Sequence, residues 1–201
     1  MRYFRTRRME KLAALLGITE NTRILDLGGT PANWSLLRVN PKVTLLNLPR
    51  AMEPDRRGLT WIFADGRHLP FKGSSFDVVF SNSVIEHLGD LCHQEEFARE
   101  IARVGSHYFV QTPNRWFPVE HHLLTPLIHF LPRSWQKALV QKFTVWEWIV
   151  RPRPDQREYY LEHYLRDIRL LDAKRMRHLF PDALLVRERF FGLTKSLIAI
   201  R

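Results

Sequence analysis

The chain has 201 residues, 45% of them hydrophobic, a single cysteine and a formal net charge of +10. That length and apolar content suit one domain that buries its own core without covalent staples, and the lone Cys92 rules out an internal disulfide or a multi-cysteine zinc site, in keeping with a cytoplasmic protein. No run approaches the roughly 18 apolar residues needed to span a bilayer.

The charge is uneven. Lys and Arg exceed Asp and Glu by 3 over residues 1–114 and by 7 over residues 115–201. An excess in the second half suits a polyanion, a membrane surface or a solvated Arg-rich face. Residues 1–17 read as a basic amphipathic helix stopped at Gly17, although their Arg-rich, acid-poor composition is also that of a transit peptide.

Next comes Arg23-Ile-Leu-Asp-Leu-Gly-Gly-Thr-Pro-Ala-Asn-Trp34. Ile24, Leu25 and Leu27 form the short apolar run of a buried parallel strand, Asp26 stands near its carboxyl end, and Gly28-Gly29 lets the backbone turn and approach a ligand closely. A helix is expected over Ala32–Val39, its first amides free for a ligand. The loop is not G-x-G-x-x-G, so it lacks the dinucleotide fingerprint.

Four more strands follow: Lys42–Leu48, Thr60–Ala64, Phe76–Phe80 and His107–Thr112. Between the last two, Leu91–Val104 is helical, with Leu91, Phe97, Ile101 and Val104 as its inward stripe. Strands alternating with helices predict a doubly wound, mostly parallel α/β sheet. Asp26, Asn47, Asp65 with Gly66, and Ser81-Asn82 all fall at or just beyond strand ends. In this architecture they share one crevice at the carboxyl edge of the sheet.

At this point the sequence resembles the class I S-adenosylmethionine-dependent methyltransferases, and the type 11-like branch in particular. The resemblance spans about residues 23–114, and its most specific piece is Ala64-Asp-Gly-Arg-His-Leu-Pro-Phe-Lys-Gly-Ser-Ser-Phe-Asp-Val-Val-Phe80. It implies a seven-stranded Rossmann-like sheet and S-adenosylmethionine as cofactor. It puts Asp26, Gly28 and Gly29 around the cofactor's methionine portion, Asn47 at the ribose, Asp65 and Gly66 at the adenine, and Ser81 and Asn82 near the sulfonium. Two departures stand out: the later glycines of the first motif are Thr30 and Ala32, and the ribose carboxylate is Asn47, an amide without the charge that strengthens such bonds.

Residues 115–172 are too long for a plain connection and too apolar for disorder, so they are expected to form a helical lid that shapes the acceptor pocket. Its predicted helices are Leu123–Leu131 and Trp135–Val150, split by Pro132. Trp116, Phe117, Trp135, Lys137, Lys142, Phe143, Trp146 and Trp148 suit either the lid's core or a peripheral membrane contact. After them, a helix over Ala173–Phe180 and strands over Ala183–Phe191 and Lys195–Ile200 close the domain as a hairpin turned at Gly192.

Methyl transfer from a sulfonium is an in-line displacement, served by positioning and desolvation, with a base only where the acceptor must lose a proton. His87 is the first candidate base, and His122, beside His121 and Glu120, the second; Glu86 is expected to point elsewhere or cap. Asn-Pro-Pro-aromatic is absent after the fourth strand, and Cys92 lies too late to be a nucleophile there, which argues against exocyclic-amine and cytosine-C5 nucleic-acid methylation. A His87–Cys92–His93 zinc triad matches no ligand spacing, and no metal is expected. The expected activity is methyl transfer, at oxygen, to a small-molecule, sugar or lipid-linked acceptor. The alternative is an inactive methyltransferase-like protein whose basic half binds nucleic acid or a membrane.

Overall fold

The computed structural model describes residues 2–49, 59–120, 122–140, 145–151 and 153–201. His121, Lys142 and Phe143 lie outside them, as does the side chain of Trp146. Helix α1 (Arg2–Leu16) precedes β1 (Arg23–Leu27), α2 (Pro31–Trp34), β2 (Lys42–Asn47), β3 (Thr60–Phe63) and β4 (Phe76–Asn82). A 3-10 turn at Ile85–His87 leads to α3 (Leu91–Val104) and β5 (Gly105–Pro113). The sheet closes with α7 (Ala173–Leu179), β8 (Leu184–Phe190) and β9 (Leu193–Ile200).

The seven strands run in the order β3-β2-β1-β4-β5-β9-β8, with β9 antiparallel to both of its neighbours. Strand alternation divides the core in two. Leu25, Val79, Tyr108 and Val110 face Phe97 and Ile101 of α3 and Met176 of α7, whereas Ile24, Val78, Phe80 and Phe109 face Met9 and Leu12 of α1 and Trp34 of α2. Both faces are thus covered, which is why β1 and β4 read as continuous apolar runs. Burying Met9 and Leu12 contributes about 1.5–3 kcal/mol each. Gly17, at φ +57°, ends α1, and the amide of Ile18 returns to the carbonyl of Ala13 at 3.2 Å.

Several expected elements differ. The helix predicted over Ala32–Val39 is one turn long: Pro31 starts it, Asn33 and Trp34 turn inward, and the amides of Leu36 and Leu37 bond three residues back. In α3, Leu91 is 56% exposed and the buried polar Gln94 takes its place, its amide donating to the carbonyls of Ile85 and Arg169. Instead of a helix over Leu123–Leu131 there is a small hairpin of β6 (Val119–Glu120) and β7 (Thr125–Pro126) followed by a 3-10 turn at Ile128–Phe130. Leu124 and Leu127 at φ +51° and +59° are incompatible with a continuous helix. The remainder is α4 (Arg133–Val140), α5 (Val145–Val150) and an unforeseen α6 (Pro154–Asp167).

The insertion's core is Leu123, Ile128 and Tyr164. Of the aromatics offered for that role, Phe117 is buried, but Trp116, Trp135 and Trp148 are exposed. No helix of the described residues is long and apolar enough to cross a membrane.

Candidate active site

The carboxyl edge of the sheet gathers the predicted residues, though not all on one wetted wall. A cleft of about 310 Å³ opens beside Gly28, Gly29, Thr30 and Asn33, with Asn82, Ser83, Gln111 and His122 across from them and Phe4, Arg8, Lys195 and Ser196 at the side. Asp26 and Ser81 lie beneath this surface, both fully buried.

Two glycines make the loop possible. Gly28 has φ +70°, and a Cβ there would meet Val84 Cγ2 at 2.6 Å; at Gly29 it would sit 1.8 Å from Asp26 Oδ2. The backbone is therefore pressed onto the carboxyl group below it and left bare on the cleft side. Asp26 Oδ2 accepts from Trp34 Nε1 at 2.8 Å, while Oδ1 has no partner among the described residues. Burial raises the Asp26 pKa to about 8, against the lowering effect of the Trp34 hydrogen bond.

Asn47 is buried and donates to the Gly29 carbonyl at 3.1 Å, so it braces the loop from β2. Asp65 lies just past β3, where Arg67 forks its carboxylate at 2.6–3.0 Å and holds its pKa below the usual range. Gly66 is packed on Phe97, which a Cβ would meet at 2.6 Å. Asn82 accepts from Arg8 at 2.8 Å. Arg8 reaches Gln111 at 3.1 Å and is forked by Glu188 at 2.8 and 3.0 Å.

The histidines meet at the lid. His122 Nε2 and His87 Nε2 are 3.2 Å apart, with the rings nearly perpendicular. Glu120 is buried and takes His122 Nδ1 at 2.6 Å and the Leu123 amide at 2.6 Å. Burial opposes charge on His122, but the Glu120 hydrogen bond and the charges of Glu120 and Glu86 outweigh it and raise its pKa. One edge of His87 meets solvent, yet the packing around it and the charge of His122 push its pKa down to about 4.

Glu86 neither points away nor caps. It is fully buried, accepts from Thr112 Oγ1 at 3.0 Å through Oε2, and leaves Oε1 without a partner among the described residues; burial lifts its pKa to about 7. Ligand-type atoms of Glu86, His87 and His122 lie within 4.8 Å of one another. Sequence reasoning missed Glu86, Arg8, Gln111 and Lys195 as members of this site. Only Glu86 carried a local signal, its place beside His87.

Residues 17–107 match the model of a family described as a methyltransferase domain. Within those residues the chain carries a methyltransferase domain of the class I, S-adenosylmethionine-dependent kind. The methyltransferase is similar over 96% of its length, and 88% of the other chain, to a Rhodobacter sphaeroides protein described as a Zn-dependent alcohol dehydrogenase, at TM-score 0.65 and 13% identity. It is similar over the same shares to a methyltransferase from Aquifex aeolicus, at TM-score 0.52 and 12% identity. A third match is Haemonchus contortus phosphoethanolamine N-methyltransferase 2 in complex with S-adenosylmethionine, at TM-score 0.53 and 19% identity, over 90% of this chain and 38% of that one.

At such identities these likenesses are of fold alone. A search of curated proteins found no match. The family match decides the chemistry: the protein is an enzyme, and its cofactor is S-adenosylmethionine. The residues fit that group, since the bare Gly28-Gly29 backbone lines a cleft at the carboxyl end of β1, where this sheet type takes its ligands.

Proposed function

We propose that this methyltransferase acts on an oxygen of a small-molecule, sugar or lipid-linked acceptor that enters beside His122. The observation that carries this reading is the seating of His122. Its ring lines the same cleft as the glycine loop and is locked by the buried Glu120.

When bound, S-adenosylmethionine supplies an electrophilic methyl for in-line transfer. The chain's residues do the rest. Gly28 and Gly29 are assigned to the cofactor's methionine portion, with Asp26 beneath the loop; Asn47 is assigned to the ribose, Asp65 and Gly66 to the adenine, and Asn82, with the buried Ser81, to the neighbourhood of the sulfonium. Glu120 keeps the proton on His122 Nδ1, so Nε2 faces His87 and the cleft. That face is assigned to the acceptor hydroxyl, His87 and His122 being the groups that hold or take its proton.

The lipid-linked class draws support from the lid. Trp116, Trp135 and Trp148 are 62%, 64% and 88% exposed, and the Arg115 guanidinium lies 5.7 Å from the Trp116 ring centre. Aromatic and basic groups together suit the headgroup region of an anionic membrane.

The test is calorimetry followed by turnover. Wild type is expected to bind S-adenosylmethionine and S-adenosylhomocysteine but not NAD. His87→Ala and His122→Ala are expected to keep that binding and lose turnover on a hydroxyl acceptor. Full turnover in both variants removes the histidines from the reaction, and failure of wild type to bind either cofactor form removes the enzyme reading.

A further inference from the structure

We infer that Glu86, His87 and His122 form a binding site for a divalent transition-metal ion, of the zinc type, on the acceptor side of the cleft. The inference rests on the reading that acceptors enter beside His122, and it deepens that reading: the two imidazoles hold an ion that binds and acidifies the acceptor oxygen, in place of taking its proton themselves.

The geometry has three parts. First, the two Nε2 atoms are 3.2 Å apart, close to the ~3.3 Å separation of two nitrogens that each lie 2.0–2.1 Å from one tetrahedral ion. Second, Glu86 brings a carboxylate, and its Oε1 is buried without a partner among the described residues. An oxygen so placed loses the water it bonded in the unfolded chain and gains nothing from protein. A cation shared with the imidazoles removes that deficit.

Third, the supporting shell is built. Glu120 accepts from His122 Nδ1 at 2.6 Å, the carboxylate–histidine arrangement that fixes a ligating ring and leaves Nε2 as the lone-pair donor. Glu120 is itself pinned by the Leu123 amide, and Thr112 holds the other oxygen of Glu86. Two imidazoles and one carboxylate form a ligand set used by catalytic zinc, with a fourth position left for a small molecule. Because His122 also lines the cleft, that position opens toward an acceptor. A hydroxyl coordinated there loses its proton to solvent water nearer neutral pH than it does when free, as metal-bound water does.

The simplest competitor is an imidazole–imidazole hydrogen bond with no ion. Dialysis of the chelator-treated protein against Zn²⁺, with metal counted per chain, separates the two. So does the visible spectrum of a Co²⁺-loaded sample, which reads out the ligand field without reference to turnover. One ion per chain is expected, with the intense visible bands of a four-coordinate cobalt site. His87→Ala and His122→Ala, each checked for native circular dichroism, should abolish the ion and the bands, and Glu120→Gln should weaken affinity about 10–100-fold. A folded wild type without a stoichiometric ion overturns the inference, as does undiminished binding in the His87→Ala/His122→Ala double variant. Calorimetry with S-adenosylmethionine on the metal-free protein keeps the two readings apart: cofactor binding without metal binding sinks the metal site alone, and loss of cofactor binding sinks the enzyme reading.

Discussion

The indole of Trp34 donates to the carboxyl group of Asp26 at 2.8 Å, in a place where neither group is open to water. Trp34 is held there by an edge-to-face contact with Phe80. Trp34→Phe keeps most of the packing and removes the only donor to this buried acid among the described residues. It is therefore expected to cost about 1–3 kcal/mol of stability, read from the denaturant midpoint at constant slope. An unchanged midpoint would mean that the hydrogen bond contributes nothing.

Asp26 also sets a pH dependence. Its pKa in the folded protein is about 8 against an ordinary value of 3.8. The folded state thus holds a proton that the unfolded chain gives up, and stability falls as pH rises from about 4 to about 8. Asp26→Asn, which cannot ionise, should show a flatter profile across that window. Superimposable slopes of unfolding free energy against pH for wild type and variant would place the ionisation elsewhere.

Gly29 and Gly17 separate close approach from backbone freedom. A methyl group at Gly29 would collide with Asp26, whereas at Gly17, whose backbone is left-handed, it meets nothing within 4 Å. Gly29→Ala should abolish calorimetric binding of S-adenosylmethionine. Gly17→Ala should retain it and lose about 1 kcal/mol of stability. Equal affinity in the two variants would refute the cradle.

Asp65→Ala should weaken cofactor binding by about 1.5–3 kcal/mol, the value of a hydrogen bond to a charged group. Affinity equal to wild type would remove Asp65 from the adenine position.

Arg8 and Glu188 are only 11% and 13% exposed at their side chains and meet at 2.8 Å. A double-mutant cycle on Arg8→Ala and Glu188→Ala should return a coupling energy above the ~1 kcal/mol ceiling of exposed pairs. A value near zero would reduce the pair to a surface contact.

The parts of the fold legible in the sequence were those written in local pattern. Ile24 to Leu27 and Phe76 to Phe80 are apolar because both sheet faces are covered, and Gly28-Gly29 marks the loop because no side chain fits above Asp26. Asp90 and Asp172 cap α3 and α7 through the amides of His93 and Arg175. The lid was misread because Leu124 and Leu127 look helical in composition while their backbone is left-handed, a conformation imposed by the small hairpin around them. Arg8 was illegible for another reason: in a helix rich in arginine, nothing local separates the one that reaches Glu188, Asn82 and Gln111 from those facing solvent. Glu86 was misjudged because its burial is created by β5 and by the Arg169 amide on its carbonyl, 83 positions further along.

The span from Arg8 to Glu188, 180 positions, bears on the order in which a working enzyme comes into being. The glycine loop is synthesised early, but the side of its cleft is shared by α1 and the last hairpin, with Arg8, Lys195 and Ser196 all lining it. A chain that ends before β8 carries the glycine loop but lacks the part of the cleft made by Lys195 and Ser196, so the complete cleft requires the polypeptide through β9.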